Sequence, residues 1–206
     1  YEPSKVAVDS GNNIYIVSEG VYAGVIQLAN TGKFLGYFTS NKSKLTPQQM
    51  FLKLIYTKEQ EKKSELLNTL PSTFSNVFVD TNGAAYSTCM GIGNDLLKKH
   101  STNGTNMLGN VKTSSALTDV TANKDGIIYA SDSHGMIWVY TSQGEVIFQL
   151  GAEAADKDIS GLFTSLTTIA VDNSGNIWTA DGEKGYLQSF TPTEYATTIF
   201  KALKEY

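Results

Sequence analysis

Residues 169–181 read Ile169-Ala170-Val171-Asp172-Asn173-Ser174-Gly175-Asn176-Ile177-Trp178-Thr179-Ala180-Asp181. Two β-prone runs flank a polar tetrad whose Asp and Asn side chains can bond nearby backbone and whose Gly accepts positive φ. This is a hairpin, with Ile169, Val171, Ile177 and Trp178 as expected core residues. The same pattern recurs. Val6-Ala7-Val8-Asp9 leads through Ser10-Gly11-Asn12-Asn13 to Ile14-Tyr15-Ile16, and Val77-Phe78-Val79-Asp80 leads through Thr81-Asn82-Gly83 to Ala84-Ala85-Tyr86. A fourth copy runs from Val120-Thr121-Ala122-Asn123 to Ile127-Ile128-Tyr129. The turns open at Asp9, Asp80, Asn123 and Asp172, separated by 71, 43 and 49 residues.

A second hairpin follows most copies. Gly24–Leu28 and Phe34–Phe38 flank Asn30-Thr31-Gly32-Lys33, and Met136–Tyr140 and Glu145–Leu150 flank a Thr141–Gly144 turn. Each unit is a meander of four short antiparallel strands. Units of roughly 40–45 residues with four strands are blades of a β-propeller, which stack because one blade cannot bury both faces of its sheet.

The order apolar-Ala-Val-Asp, polar-Gly-Asn, Ile-Tyr/Trp, then an acidic residue, Gly and a strand resembles the NHL repeat. The match covers most of residues 4–38, 74–108, 117–151 and 166–191, and is loosest from Cys89 to Asp95 in the second copy. With its helical insertion and C-terminal helix, the chain also resembles extracytoplasmic NHL-repeat proteins of Gram-positive bacteria. There the propeller belongs to a larger, membrane-associated chain at the cell surface. The expected fold class is all-β: a propeller segment over 1–191 with four recognisable blades, about 4–38, 73–108, 117–151 and 166–191. A helical insertion is expected over about 40–70, and a C-terminal helix over 192–206, where another region could start. The resemblance implies membership of a six-bladed ring; a four-bladed ring with one thin blade is the alternative.

The insertion carries two capping boxes, Thr46-Pro47-Gln48-Gln49 and Thr57-Lys58-Glu59-Gln60, so helices are expected near 47–56 and 58–68. Met50, Phe51, Leu54 and Ile55 would pack on the body or dock a partner. The fourth unit has only three strands before Thr191-Pro192-Thr193-Glu194 starts a helix with Tyr195, Ile199 and Leu203 at helical spacing. That leaves the strand Leu187–Thr191 as an open edge. If the ring is larger, apolar faces are also exposed at both ends, with Val6, Val8, Ile14 and Ile16 at one and Ile169, Val171, Ile177 and Trp178 at the other. Self-association is one way to cover them.

The chain has 206 residues, 41% apolar and 17% charged, which suits one domain with a sizeable core. A net charge of −4 without a basic run argues against a nucleic-acid partner. No apolar run reaches membrane-span length, and no signal peptide is visible. The opening Tyr1-Glu2-Pro3, directly before a strand, reads as a cut from a longer chain. The one cysteine, Cys89, excludes an internal disulfide and is expected to be a buried, slowly reacting thiol.

Nothing in the sequence marks a catalytic centre. Asp132-Ser133-His134 are neighbours in a tight turn, where triad geometry is rare, and no zinc-ligand spacing occurs. Gly91-Ile92-Gly93 completes neither a dinucleotide fingerprint nor a P-loop. Glu19, Asp132, Asp181 and Glu183 occupy the same loop in three units. The resemblance to six-bladed hydrolases implies that acidic and Asn residues near the axis could hold a divalent cation; turn capping by Asp is the simpler account. No cofactor is expected, calcium being the one ion in view. The loops between second and third strands gather Glu19, Tyr22, Asp95, Asp132, His134, Asp181, Glu183 and Lys184 on one rim. That collection suits a non-enzymatic scaffold binding a protein or small ligand. A divalent-cation-dependent hydrolase or lactonase, or a purely structural spacer, are the alternatives.

Overall fold

The computed structural model describes residues 2–41, 72–91, 95–154 and 158–205. The expected insertion helices, with Thr46 and Met50–Ile55, lie outside these residues, as do Ile92–Asn94. The first unit is a sheet of β1 (Glu2–Val8), β2 (Ile14–Glu19), β3 (Ile26–Leu28) and β4 (Phe34–Tyr37), ordered as in the chain. The second comprises β5 (Thr73–Val79), β6 (Ala85–Met90) and β7 (Leu97–His100). Its fourth strand, expected by 108, is reduced among the described residues to an isolated bridge between His100 and Asn106.

The third unit, β8 (Leu117–Ala122), β9 (Ile128–Asp132), β10 (Ile137–Tyr140) and β11 (Val146–Leu150), is complete. The connector that follows is not wholly irregular: β12 (Ala152–Glu153) and β13 (Leu162–Phe163) pair in parallel. The fourth unit has β14 (Leu166–Val171), β15 (Ile177–Asp181) and β16 (Tyr186–Phe190), leaving β16 as an edge with Leu187 70% exposed. Helix α1 (Glu194–Glu205) follows, its first turn capped by Thr193, whose Oγ1 accepts the Ala196 N–H at 3.2 Å.

The four turns share one internal device. Asp9 Oδ1 accepts N–H bonds from Gly11 and Asn13 at 2.8 and 2.9 Å, and its Oδ2 accepts the Tyr15 hydroxyl at 2.9 Å. Asp80 does the same with Asn82, Ala84 and Tyr86, and Asp172 with Ser174, Asn176 and the Trp178 ring N–H. Asn123 keeps the two backbone bonds, to Asp125 and Ile127. The position three after each opener is left-handed: Gly83, Gly126 and Gly175 have φ of 83°, 82° and 85°. In the first copy that position is Asn12, at φ 62°, rather than the neighbouring Gly11. Asn is the side-chain residue that tolerates this region best.

Inner strands β1, β5, β8 and β14 pack consecutively, while β14 and β1 do not pack on each other as neighbours in this series do, so the described blades form an open arc. Cross-strand register sorts each sheet into two faces. On the third blade Val120, Ala130, Trp138, Ile128 and Tyr140 share the face towards the second blade. Tyr129, Ile137 and Val139 share the opposite face and meet Ile169 and Ile177 of the fourth. Ile169, Val171 and Ile177 therefore pack inward, and the expectation that they line the open end is corrected. Trp178 alone of that set points outward, 44% exposed, so it is not the core residue the sequence suggested.

Candidate functional site

Strand alternation places the loops between second and third strands, together with the connections between blades, at one end of the arc. The expected rim residues fall into two kinds there. Asp132 is 3% exposed and Asp181 2%, and their carboxylates are occupied by the protein itself. Asp132 Oδ1 accepts the His134 and Met136 N–H groups at 3.0 Å, and Oδ2 the Trp138 ring N–H at 3.1 Å. This is the turn device again, used in the β9–β10 loop. Asp181 binds Lys184 and Glu183 N–H at 2.9 and 3.1 Å with Oδ1 and Thr164 N–H at 2.7 Å with Oδ2. It thereby ties the connection entering β14 to the β15–β16 loop. Buried Asp181 would by burial alone rise in pKa, but these N–H bonds hold it below the usual carboxylate value.

The exposed kind comprises Glu19, Tyr22, His134 and Glu183, with Asp95 and Lys184 half-buried. Lys184 Nζ pairs with Asp158 at 3.3 Å and lies 5.6 Å from the Tyr186 ring. Among the described residues no group of three His, Cys, Asp or Glu side chains could hold a metal.

Two constellations escaped the sequence reading. The first is axial. Each inner strand carries a one-residue irregularity at the same place, at Ser4, Ser75, Thr118 and Thr167. The next residues are Lys5, Asn76, Asp119 and Thr168. Asp119, 5% exposed, accepts bonds from Asn76 Nδ2, the Val120 N–H, Thr168 Oγ1 and the Ile169 N–H, so one carboxylate links three blades. Burial raises its pKa, against the pull of Thr168, the Ile169 N–H and Lys5. The signal was present: Ser or Thr, a polar residue, then Val or Ile stands five before every turn opener. The second is a buried Ser87–His100 pair, with Ser87 Oγ 2.8 Å from His100 Nε2. His100 Nδ1 lies 3.1 Å from the Gly104 carbonyl, so Nδ1 carries the proton and Nε2 accepts. Both side chains are buried, which denies a substrate access, and desolvation holds the imidazole neutral with its pKa near about 4.

Cys89 is fully buried beside Lys98 and Asn41. The cation supplied by the neighbouring strand was not visible in sequence, yet burial outweighs it and the thiol pKa is raised. Finally, an apolar cavity of about 440 Å³ opens between the third and fourth blades and α1, lined among others by Ile147, Phe148, Ile177, Phe190, Ile199 and Phe200.

No protein-family model matches the chain. No curated protein matches it in sequence. Solved structures do match in fold. Virginiamycin B lyase from Staphylococcus aureus aligns at a TM-score of 0.56 and 12% identity, over 95% of this chain and 57% of that one. A protein of unknown function from Bacteroides thetaiotaomicron aligns at 0.57 and 16%, over 92% and 45%. The extracellular domain of a hybrid two-component system from the same species aligns at 0.56 and 13%, over 94% and 22%. The fold is a β-propeller. This propeller segment spans little more than half the length of the lyase that it matches.

Proposed function

We propose that this chain is a non-enzymatic recognition module, an NHL-type propeller segment that binds a protein or small ligand on its loop rim. The observation that carries the reading is the division of the rim. Asp132 and Asp181 spend their oxygens on N–H groups of the protein's own backbone and of the Trp138 ring, while Glu19, at the end of β2, and Tyr22, His134 and Glu183, on loops, remain in solvent. Exposed aromatic, acidic and imidazole groups on fixed loops suit recognition, and the Ser–His pair that resembles a catalytic dyad is sealed in the core. An extracytoplasmic location, in a longer membrane-associated chain, is supported by similarity to extracellular domains of two-component proteins.

The test sets this reading against a divalent-cation-dependent hydrolase. Purified protein is analysed for bound metal, melted with and without calcium, and assayed on lactones and aryl esters with and without chelator. The expected result is no turnover above buffer and no calcium-dependent rise in melting temperature. Turnover abolished by chelator would overturn the proposal.

A further inference from the structure

The first blade is apolar on both faces. Its inner face, with Tyr15 and Val17, is buried against the second blade. On its outer face register brings Val6 opposite Ile16, Ile16 opposite Ile26, and Ile26 opposite Tyr37. Beside this row runs another, Val8, Ile14, Leu28 and Phe34. No charge interrupts the two rows, yet Val6 is 65% exposed, Val8 and Phe34 each 54%, and Tyr37 45%. Large uncharged apolar patches of this kind mark interaction surfaces.

The rest of the molecule shows what covers such a face. The equivalent face of the second blade, with Val77, Val79, Ala85 and His100, meets the first, where Phe38 and His100 rings sit 5.4 Å apart. The equivalent face of the fourth, with Ile169 and Ile177, meets Tyr129 and Val139 of the third. The third blade's Val120 and Ile128 meet the second in the same way, and at all three contacts the covering face carries an aromatic residue six positions after its turn opener: Tyr15, Tyr86 and Tyr129. The fourth blade has the corresponding residue in Trp178, and there it is uncovered. Around it register sets Ala170 and Ser189, with Ala180 and Leu187 alongside, so the strand residues of this outer face are also uncharged, and the carboxylate at its edge, Asp172, is taken up by the Trp178 ring N–H.

We infer that the outer face of the first blade binds a second copy of this chain, through the outer face of that copy's fourth blade, head to tail. One chain carries both halves of a contact that its interior already makes three times in succession. A stable interface needs roughly 1,200–2,000 Å² buried in total, and a complete sheet face opposed by another supplies contact of that kind. The pairing is heterologous, so two copies close a ring if the rotation allows, and more copies extend the series otherwise.

Sedimentation velocity over a range of concentrations tests this, with two variants. V6K/I16K charges one face and W178K/L187K the other; the substituted side chains lie outside the buried clusters, and circular dichroism checks that each variant folds. The wild type should associate at micromolar concentration, and each variant should associate more weakly by a factor of at least about 30. Mixing the two variants should restore a one-to-one dimer, because one retains the first-blade face and the other the fourth. A monomeric wild type, the result expected if other parts of a longer polypeptide cover the face, would overturn the inference. So would a W178K/L187K variant that dimerises as well as wild type, which would mean that the first-blade face pairs with itself. Should one variant fail to fold, the wild-type concentration series and the other variant still decide.

Discussion

At the scale of single residues, the aspartates are where chemistry and architecture compete, and architecture wins. Asp172 shows the reason: the Trp178 ring N–H and the Asn176 amide lead the donors that hold its carboxyl near about 2. Asp132 accepts a similar set of N–H bonds from a buried position, so Asp132→Ala should lower the unfolding free energy by about 2–4 kcal/mol, through the lost bonds and the donors left unsatisfied. Asp132→Asn should cost about 1 kcal/mol, since Asn123 already holds such a turn with its amide oxygen. Denaturant titration reads both. His100 gives a pH dependence. Its folded pKa, about 4, lies below the ordinary value of 6.5, so the unfolded chain binds the proton first. The stability contribution is full above pH 6.5 and is lost as pH falls towards 4, amounting to about 3 kcal/mol. The acid limb of a stability-against-pH curve should flatten by that amount in His100→Gln. These roles were half legible: the turn openers announced themselves by position, whereas the occupation of Asp132 and Asp181 depends on loops that fold back upon them.

At the scale of elements, the strands and α1 followed from period and punctuation. Thr193 and Pro192 marked the helix start, alternation marked β1 and β2, and the repeated turn marked β8 and β9. What alternation could not reveal is the shift in each inner strand, where Ser4, Ser75, Thr118 and Thr167 stand as extra residues, because such a shift is defined by the partner strand. The fourth strand of the second blade also fell short, for Asn106 makes only one bridge. Helix α1 buries no residue completely and rests on the third blade through Phe200, 6.0 Å from Phe148. Phe200→Ala should therefore cost about 1–2 kcal/mol, less than a fully buried Phe. Lys204→Ala should cost under about 1 kcal/mol, although its ammonium lies 2.7 Å from Asp125, because the pair is solvated. Hydrogen exchange along 194–205 distinguishes them: protection should fall with Phe200→Ala and stay near wild type with Lys204→Ala.

At the scale of the whole molecule, stacking converts four similar sentences into unlike surroundings. The second and third blades are covered on both faces, while the first and fourth each keep one face in solvent. Residues occupying one place in the repeat thus meet different fates: Tyr129 is 1% exposed and Trp178 44%. Asp119 joins the second, third and fourth blades through groups 43 to 50 residues away in the chain. The sequence by itself determined the turns, the strand period, the repeat and the terminal helix, since each of these is written in interactions spanning about six residues or fewer. Tertiary structure alone decided which of two apolar faces is covered, which carboxylates reach solvent, and how far His100 and Cys89 are shifted. Those outcomes depend on burial and on hydrogen-bond partners brought from other blades, and no local pattern encodes them.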